Sequence, residues 1–295
     1  MKAICAAIIA AVAVPALAAA QQPVLLQFNH QEGQVLRYRG QLTGTGHMTI
    51  EGQSQPLVVK GQFVLVQKVG AQKGDGYELT TTLEDARLSF RVGAEPEQST
   101  SVTPPPLVQM ITKSGRVLSE KGWAQSEPGA EKSPLHGTLK WLAAQMPRAG
   151  FPETEVQVNQ TWTQDLTVPQ SKEPARQVST LKGFEKWPVR PTLKGRPHGP
   201  EGKELDCANV ATAVTLPIEQ WLPPDPIGTK VHIKGRQQLD TTLLFAHEKG
   251  LIARQQTTVV LHVDSEAHLR DVKEPVHATM DVTAKVNMEL ETARP

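Results

Sequence analysis

The 295-residue chain carries 31 basic and 30 acidic residues, a formal net charge of +1, and aromatics make up only 4% of it. That balance supplies no global field to draw nucleic acid or an anionic membrane. The two cysteines, Cys5 and Cys207, cannot provide a disulfide framework, so stability has to come from a hydrophobic core.

Residues 1–20 read as a signal peptide. Lys2 gives a positive start, an apolar run follows, and small residues offer cleavage after Ala18 or Ala20. The run is short of the roughly 20 residues that span a bilayer. Removal of Lys2 would leave 30 basic against 30 acidic residues. The sequence thus predicts an exported protein, periplasmic or extracellular, with no transmembrane segment and no affinity for nucleic acid. Cys207 would be its one cysteine.

Most of the remaining chain reads as strands. In "LVVKGQFVLVQKV", Leu57, Val59, Phe63 and Leu65 share one face, while Val64 and Val66 make the other face partly apolar. "YELTTTLEDARLSFRV" begins with Tyr77, Leu79 and Leu83 in one phase and ends with Ala86, Leu88 and Phe90 in the other. The flip near Glu84-Asp85 predicts a β-bulge. Asp75-Gly76, Ser114-Gly115 and Lys249-Gly250 read as tight turns.

One helix is predicted at residues 134–146. Ser133 would cap it, Pro134 would open it, and Leu135, Leu139, Leu142 and Met146 follow helical spacing to the stop at Pro147. Prolines recurring between residues 169 and 200 predict a long loop or protruding hairpin, and "LPIEQWLPPDP", with Trp221, reads as another loop. The cleanest strand comes last. Ala278, Met280, Val282, Ala284, Val286, Met288 and Leu290 alternate strictly with polar neighbours.

Turn-and-strand echoes recur in the same order in both halves. "EGQVLRYRGQL" is matched by "VNQTWTQDL", "VVKGQFVLV" by "HIKGRQQLD", and "KSGRVLSE" by "EKGLIARQ". The predicted organisation is a signal peptide at 1–20, a first β unit at 21–132, a linking helix at 133–150 and a second β unit at 151–295. The fold class is all-β and antiparallel, with two similar sheet units forming an open curved sheet or half-barrel. Around the start of the second unit, Pro152, Glu153, Val156, Val158, Asn159, Thr161 and Trp162 resemble a Pro-x-x-x-Val-x-Val-Gly-x-x-Trp segment of uncharacterised secreted bacterial β-rich proteins. Those proteins are similar to the half-barrels of periplasmic lipoprotein carriers. The resemblance implies export and an open curved sheet, and it implies no reaction. Asn159 stands where the pattern has glycine, and asparagine also tolerates the left-handed conformation.

Signatures of chemistry are sparse. There is no G-x-S-x-G elbow, phosphate loop or calcium loop. "HEKGL" at His247 lacks the second histidine of a zinc protease. His262, His268 and His277 read as solvated strand histidines rather than metal ligands. Cys207 reads as a small buried hydrophobe, and the tryptophans as packing residues. Asn159 heads an N-x-T acceptor triplet, which carries little weight beside a bacterial-looking signal peptide.

The expectation is therefore a non-catalytic envelope protein, without cofactor or metal, that binds or carries an apolar ligand such as a lipid in a β concavity. Phe63 and Leu65 on one strand, and Leu243 and Phe245 on another, are the candidate ligand-binding residues. The alternative is a structural or protein-interaction module with a filled β core.

Overall fold

The structure, a computed structural model, describes residues 22–101, 103, 105–122, 150–166, 174–188, 204–222, 229–268 and 274–294. The expected signal peptide, the helix at 134–146 and the prolines at 191, 197 and 200 lie outside the described residues.

The described chain is all-β. Its strands are β1 (Val35–Ile50), β2 (Gln53–Lys73), β3 (Gly76–Val92), β4 (Gln98–Ser101), β5 (Leu107–Thr112), β6 (Val117–Lys121), β7 (Thr161–Leu166), β8 (Ala175–Pro188), β9 (Glu204–Leu222), β10 (Lys230–Ala246), β11 (Leu251–His268) and β12 (Val276–Arg294). They form one open 12-stranded antiparallel sheet in the order β6-β5-β3-β2-β1-β12-β11-β10-β9-β8-β7, with β4 added beside β3. The first half of the chain runs from the centre of the sheet to one edge. The second half runs from the other edge back to the centre, where β1 pairs with β12 along its whole length. No helix long and apolar enough to cross a membrane occurs among the described residues.

The alternation read from the sequence sets the two faces. In β12, Ala284, Val286 and Met288 are buried, while Thr283 and Lys285 on either side of Ala284 are exposed. Leu57, Val59, Phe63 and Leu65 of β2 face the same side. The phase flip in β3 is a bulge. Gln62 pairs with Arg87 but Val64 with Glu84, and Asp85 takes a φ of +49°. The extra residue moves Ala86 and Leu88 onto the face already used by Leu83.

Three readings shift. In the β2–β3 turn the positive φ falls on Gly74 rather than on Gly76. Within the proline-rich stretch, residues 175–188 form β8, and Pro174 and Pro188 bound that strand instead of interrupting it. Trp221 lies on β9 and not on a loop. Pro217 is tolerated there because the β8 pairing of β9 ends at Val214, leaving one side of the strand without a ladder among the described residues.

The two edges of the sheet are drawn together at one end. Residues 22–30 and 150–158 cross that end and meet in an isolated bridge between Val24 and Val156. The Phe28 amide donates to the Lys113 carbonyl and the Phe151 amide to the Ser114 carbonyl, both in the β5–β6 turn. On the opposite edge, the indole Nε1 of Trp162 donates to the Gly150 carbonyl at 2.8 Å. Trp162 thereby fastens this crossing to β7. Asn159, with a φ of +67°, supplies the left-handed turn between them.

Candidate functional site

Antiparallel register aligns side chains in rows across the inner face of the sheet. One row near the closed end runs Leu181, Val210, Leu243, Gln255, Met288, Gly40, Phe63. The Phe63 ring lies over Gly40, where a Cβ would strike it. Phe245, two residues beyond Leu243, packs against Phe151 at 4.5 Å and edge-on to Phe28 at 5.3 Å between ring centroids. His30 stacks on Phe28 and meets Tyr77 edge-on. These rings, with Leu26 and Val156, plug the closed end.

All four candidate ligand-binding residues lie on the inner face within this packed region. Phe63 is 4% exposed, Leu65 0%, Leu243 5% and Phe245 0%. The fold thus brings β2 and β10 to one core, although three other strands separate them in the sheet.

Beside the plug lies a polar belt that the sequence reading missed. Ser179, Thr212, Thr241 and Thr257 fall in one row on neighbouring strands. Ser179 and Thr212 share a hydrogen bond of 3.0 Å, as do Thr241 and Thr257. In the other half of the sheet, Gln109 donates to Glu120 at 2.8 Å, while its Oε1 and the Thr81 hydroxyl are buried without a hydrogen-bond partner.

Past the belt, the inner face is uncharged and mostly apolar while burial falls away, with Gln237, Ser265, Gln55 and Gln53 among its rows. Gly46, Val282, Leu261 and Leu216 lie near the middle of their strands. Met48, Met280, Val263 and Ile218 follow, and then Ile50, Ala278 and Ile233. Met48, Met280, Val263, Leu261, Ile218 and Ile233 are half-buried, and Ile50 is 46% exposed. None of these inward positions is charged. The sheet therefore has a plugged end and an open end.

The outer face is mostly polar, with Val178 and Val260 exposed on it and Val64 and Val66 half-buried. Across β8–β12 it forms a shallow trough of about 520 Å³, with Thr180, Thr242 and Thr258 in its wall and Lys182, Asp240 and Lys285 around it. This hollow lies on the opposite face from the candidate residues.

The groups that could carry chemistry are dispersed. Cys207 is buried, and burial, aided by nearby Glu185 and Asp206, pushes its thiol up to about 12. Burial drives the His30 imidazole down to about 4, against a weak hydrogen bond from its Nδ1 to Gln34 Oε1. His262 sits 2.6 Å from Asp281, and that hydrogen bond raises its pKa. No cluster of metal-ligating side chains occurs among the described residues.

No family model matches the chain, and no curated protein matches it. Among solved structures, lipovitellin, in a study of its lipid–protein interactions, aligns over 90% of this chain at 9% identity with a TM-score of 0.45, and the chain spans only 26% of that protein. The β domain of the Bordetella autotransporter BrkA aligns over 87% of this chain and 99% of its own at 8% identity, TM-score 0.25. An outer-membrane channel of Pseudomonas putida aligns over 91% of this chain and 99% of its own at 8% identity, TM-score 0.24. These neighbours are β-rich lipid-binding or barrel proteins.

Proposed function

We propose that the protein is a non-catalytic, exported envelope protein that carries an apolar ligand against the inner face of its sheet. The carrying observation is the run of half-buried, uncharged and mostly apolar positions beyond the plug, from Leu261 and Val282 to Ile50, interrupted by the neutral side chains of Gln237, Ser265 and Gln55. A soluble sheet hides such a face unless something else covers it. In this reading the sheet is a half-barrel of two related units joined through residues 133–150. Phe63, Leu65, Leu243 and Phe245 form the floor of its concavity. The ligand is uncharged overall, since no charged side chain stands on the open rows. Each methylene buried there is worth about 0.8 kcal/mol, so a long acyl chain binds without a charge contact.

The test is uptake of a fluorescent fatty-acid probe, with mass spectrometry of organic extracts from protein purified from its native host. Leu261→Glu and Val263→Glu should cut uptake about tenfold or more while folding persists, because both side chains are only half-buried. Wild-type protein that takes up no probe and yields no lipid overturns the reading.

The second reading is a structural or interaction module with a filled core. The near-complete burial of the four floor residues favours it. Leu65→Ala and Leu243→Ala separate the two. A filled core loses about 2–5 kcal/mol at each. A cavity floor loses less and changes probe uptake.

A further inference from the structure

Five of the nine histidines lie on the outer face in the half of the sheet toward the open end. His47 lies on β1, His232 on β10, His262 and His268 on β11, and His277 on β12. Register puts Trp221, His232, Glu266 and His277 in one row, and Arg236, His262, Asp281 and His47 in another. Trp221 is 59% exposed. His232 stacks on it at 4.6 Å, and His268 reaches its ring at 5.9 Å. Four of these imidazoles lie close to a carboxylate. His262 contacts Asp281 and Asp264, His232 lies 3.8 Å from Glu219, and His268 and His277 share Glu266 at 4.0 and 3.7 Å.

We infer that this patch docks the open end of the sheet on an anionic lipid bilayer, and does so at mildly acidic pH, when its histidines carry protons. The facing charges set the sign. Glu219, Asp264, Glu266 and Asp281 stand on the strands, with Glu51 and Glu274 at the rim. Lys230, Lys234 and Arg236 oppose them. Counted over the described residues, the patch is net negative by three with neutral imidazoles and net positive by two with five imidazolium groups. The sign of the patch therefore depends on whether these imidazoles carry protons. Acidic bilayers repel the first state and attract the second. Protonation also strengthens the hold on Trp221, because an imidazolium stacked on indole gains a cation–π attraction. Trp221 is the side chain suited to the headgroup layer. Ile50, on the inner face, lies at the same end of the sheet as the patch.

The experiment is co-sedimentation of the protein with phosphatidylcholine vesicles, with and without phosphatidylglycerol, at pH 5.5 and 7.5 in low salt. The expected result is binding to the phosphatidylglycerol vesicles about tenfold stronger at pH 5.5, and none to pure phosphatidylcholine. The triple variant His232→Gln, His268→Gln, His277→Gln should lose that pH dependence, and Trp221→Ala should weaken binding at pH 5.5. Absence of binding at pH 5.5 overturns the proposal, and so does acid-dependent binding that the triple variant keeps. Probe uptake is measured without vesicles. Failure of uptake with intact vesicle binding counts against the carrier reading alone.

Discussion

His30 takes up a proton near pH 6.5 in the unfolded chain but only near pH 4 in the folded one, because the plug removes it from water. Its depressed pKa means that stability is full above pH 6.5 and drains as pH falls from 6.5 to 4. The integrated loss is at most about 3 kcal/mol. Urea midpoints at pH 7 and pH 4.5 should therefore diverge more for wild type than for His30→Phe, and equal divergence would show that His30 does not contribute. His262 has the opposite sign. Its pKa is raised, so its stabilisation is present at low pH and lost as pH rises through the folded value, and its exposure keeps it small. Gly40→Ala tests the ring contact with Phe63. The added methyl lands on the ring, and about 1–3 kcal/mol should be lost on denaturant unfolding. Cys207 is buried with a strongly raised thiol pKa. Melting should be the same with and without dithiothreitol, and a drop in the reductant would reveal a bridge at Cys207.

At the scale of strands, the contrast within β12 is the direct test of the two faces. Met288→Ala empties a fully buried inward site and should cost about 2–5 kcal/mol, whereas Lys285→Ala, on the exposed face, should change stability by about 0.5 kcal/mol or less. Similar losses at both positions would mean that β12 is not half-wet. This strand was legible because burial on one face writes a period of two into the sequence. The bulge at Asp85 was legible for the same reason, since one extra residue inverts that period. Trp221 was misplaced because prolines on both sides mimic a loop, although a strand side without a ladder accommodates Pro217. The plug was not legible. Residues 22–30 and 150–158 make a single bridge and a few hydrogen bonds, too little to impose a period. Nor was the histidine patch, because His47 meets Asp281, and His232 and His277 flank Glu266, only through strand pairing, which no local pattern encodes.

That pairing shapes the behaviour of the whole molecule. The strands nearest the two ends of the described chain meet in the middle of the sheet, so each half is a fan of strands and β1–β12 is the seam. Among the described residues, the second link between the halves is the plug. Phe28 binds the β5–β6 turn, Asn29 donates to the Gly250 carbonyl in the β10–β11 turn, and Val24 bridges to Val156. A chain beginning at residue 31 keeps the seam but loses Leu26 and Phe28, and it leaves Phe151 and Phe245 without an aromatic neighbour they pack against. Two buried apolar side chains are worth about 1.5–3 kcal/mol each, and each lost ring pair about 0.5–1.5. The sum is about 4–9 kcal/mol, comparable with the whole stability of an ordinary domain. The truncated protein should bind a hydrophobic dye, melt well below wild type, and show the two halves unfolding separately by calorimetry. Intact protein should unfold in one transition, because plug and seam tie the fans at two places. A truncated form that melts in one transition within a few degrees of wild type would show that the seam alone holds the sheet together.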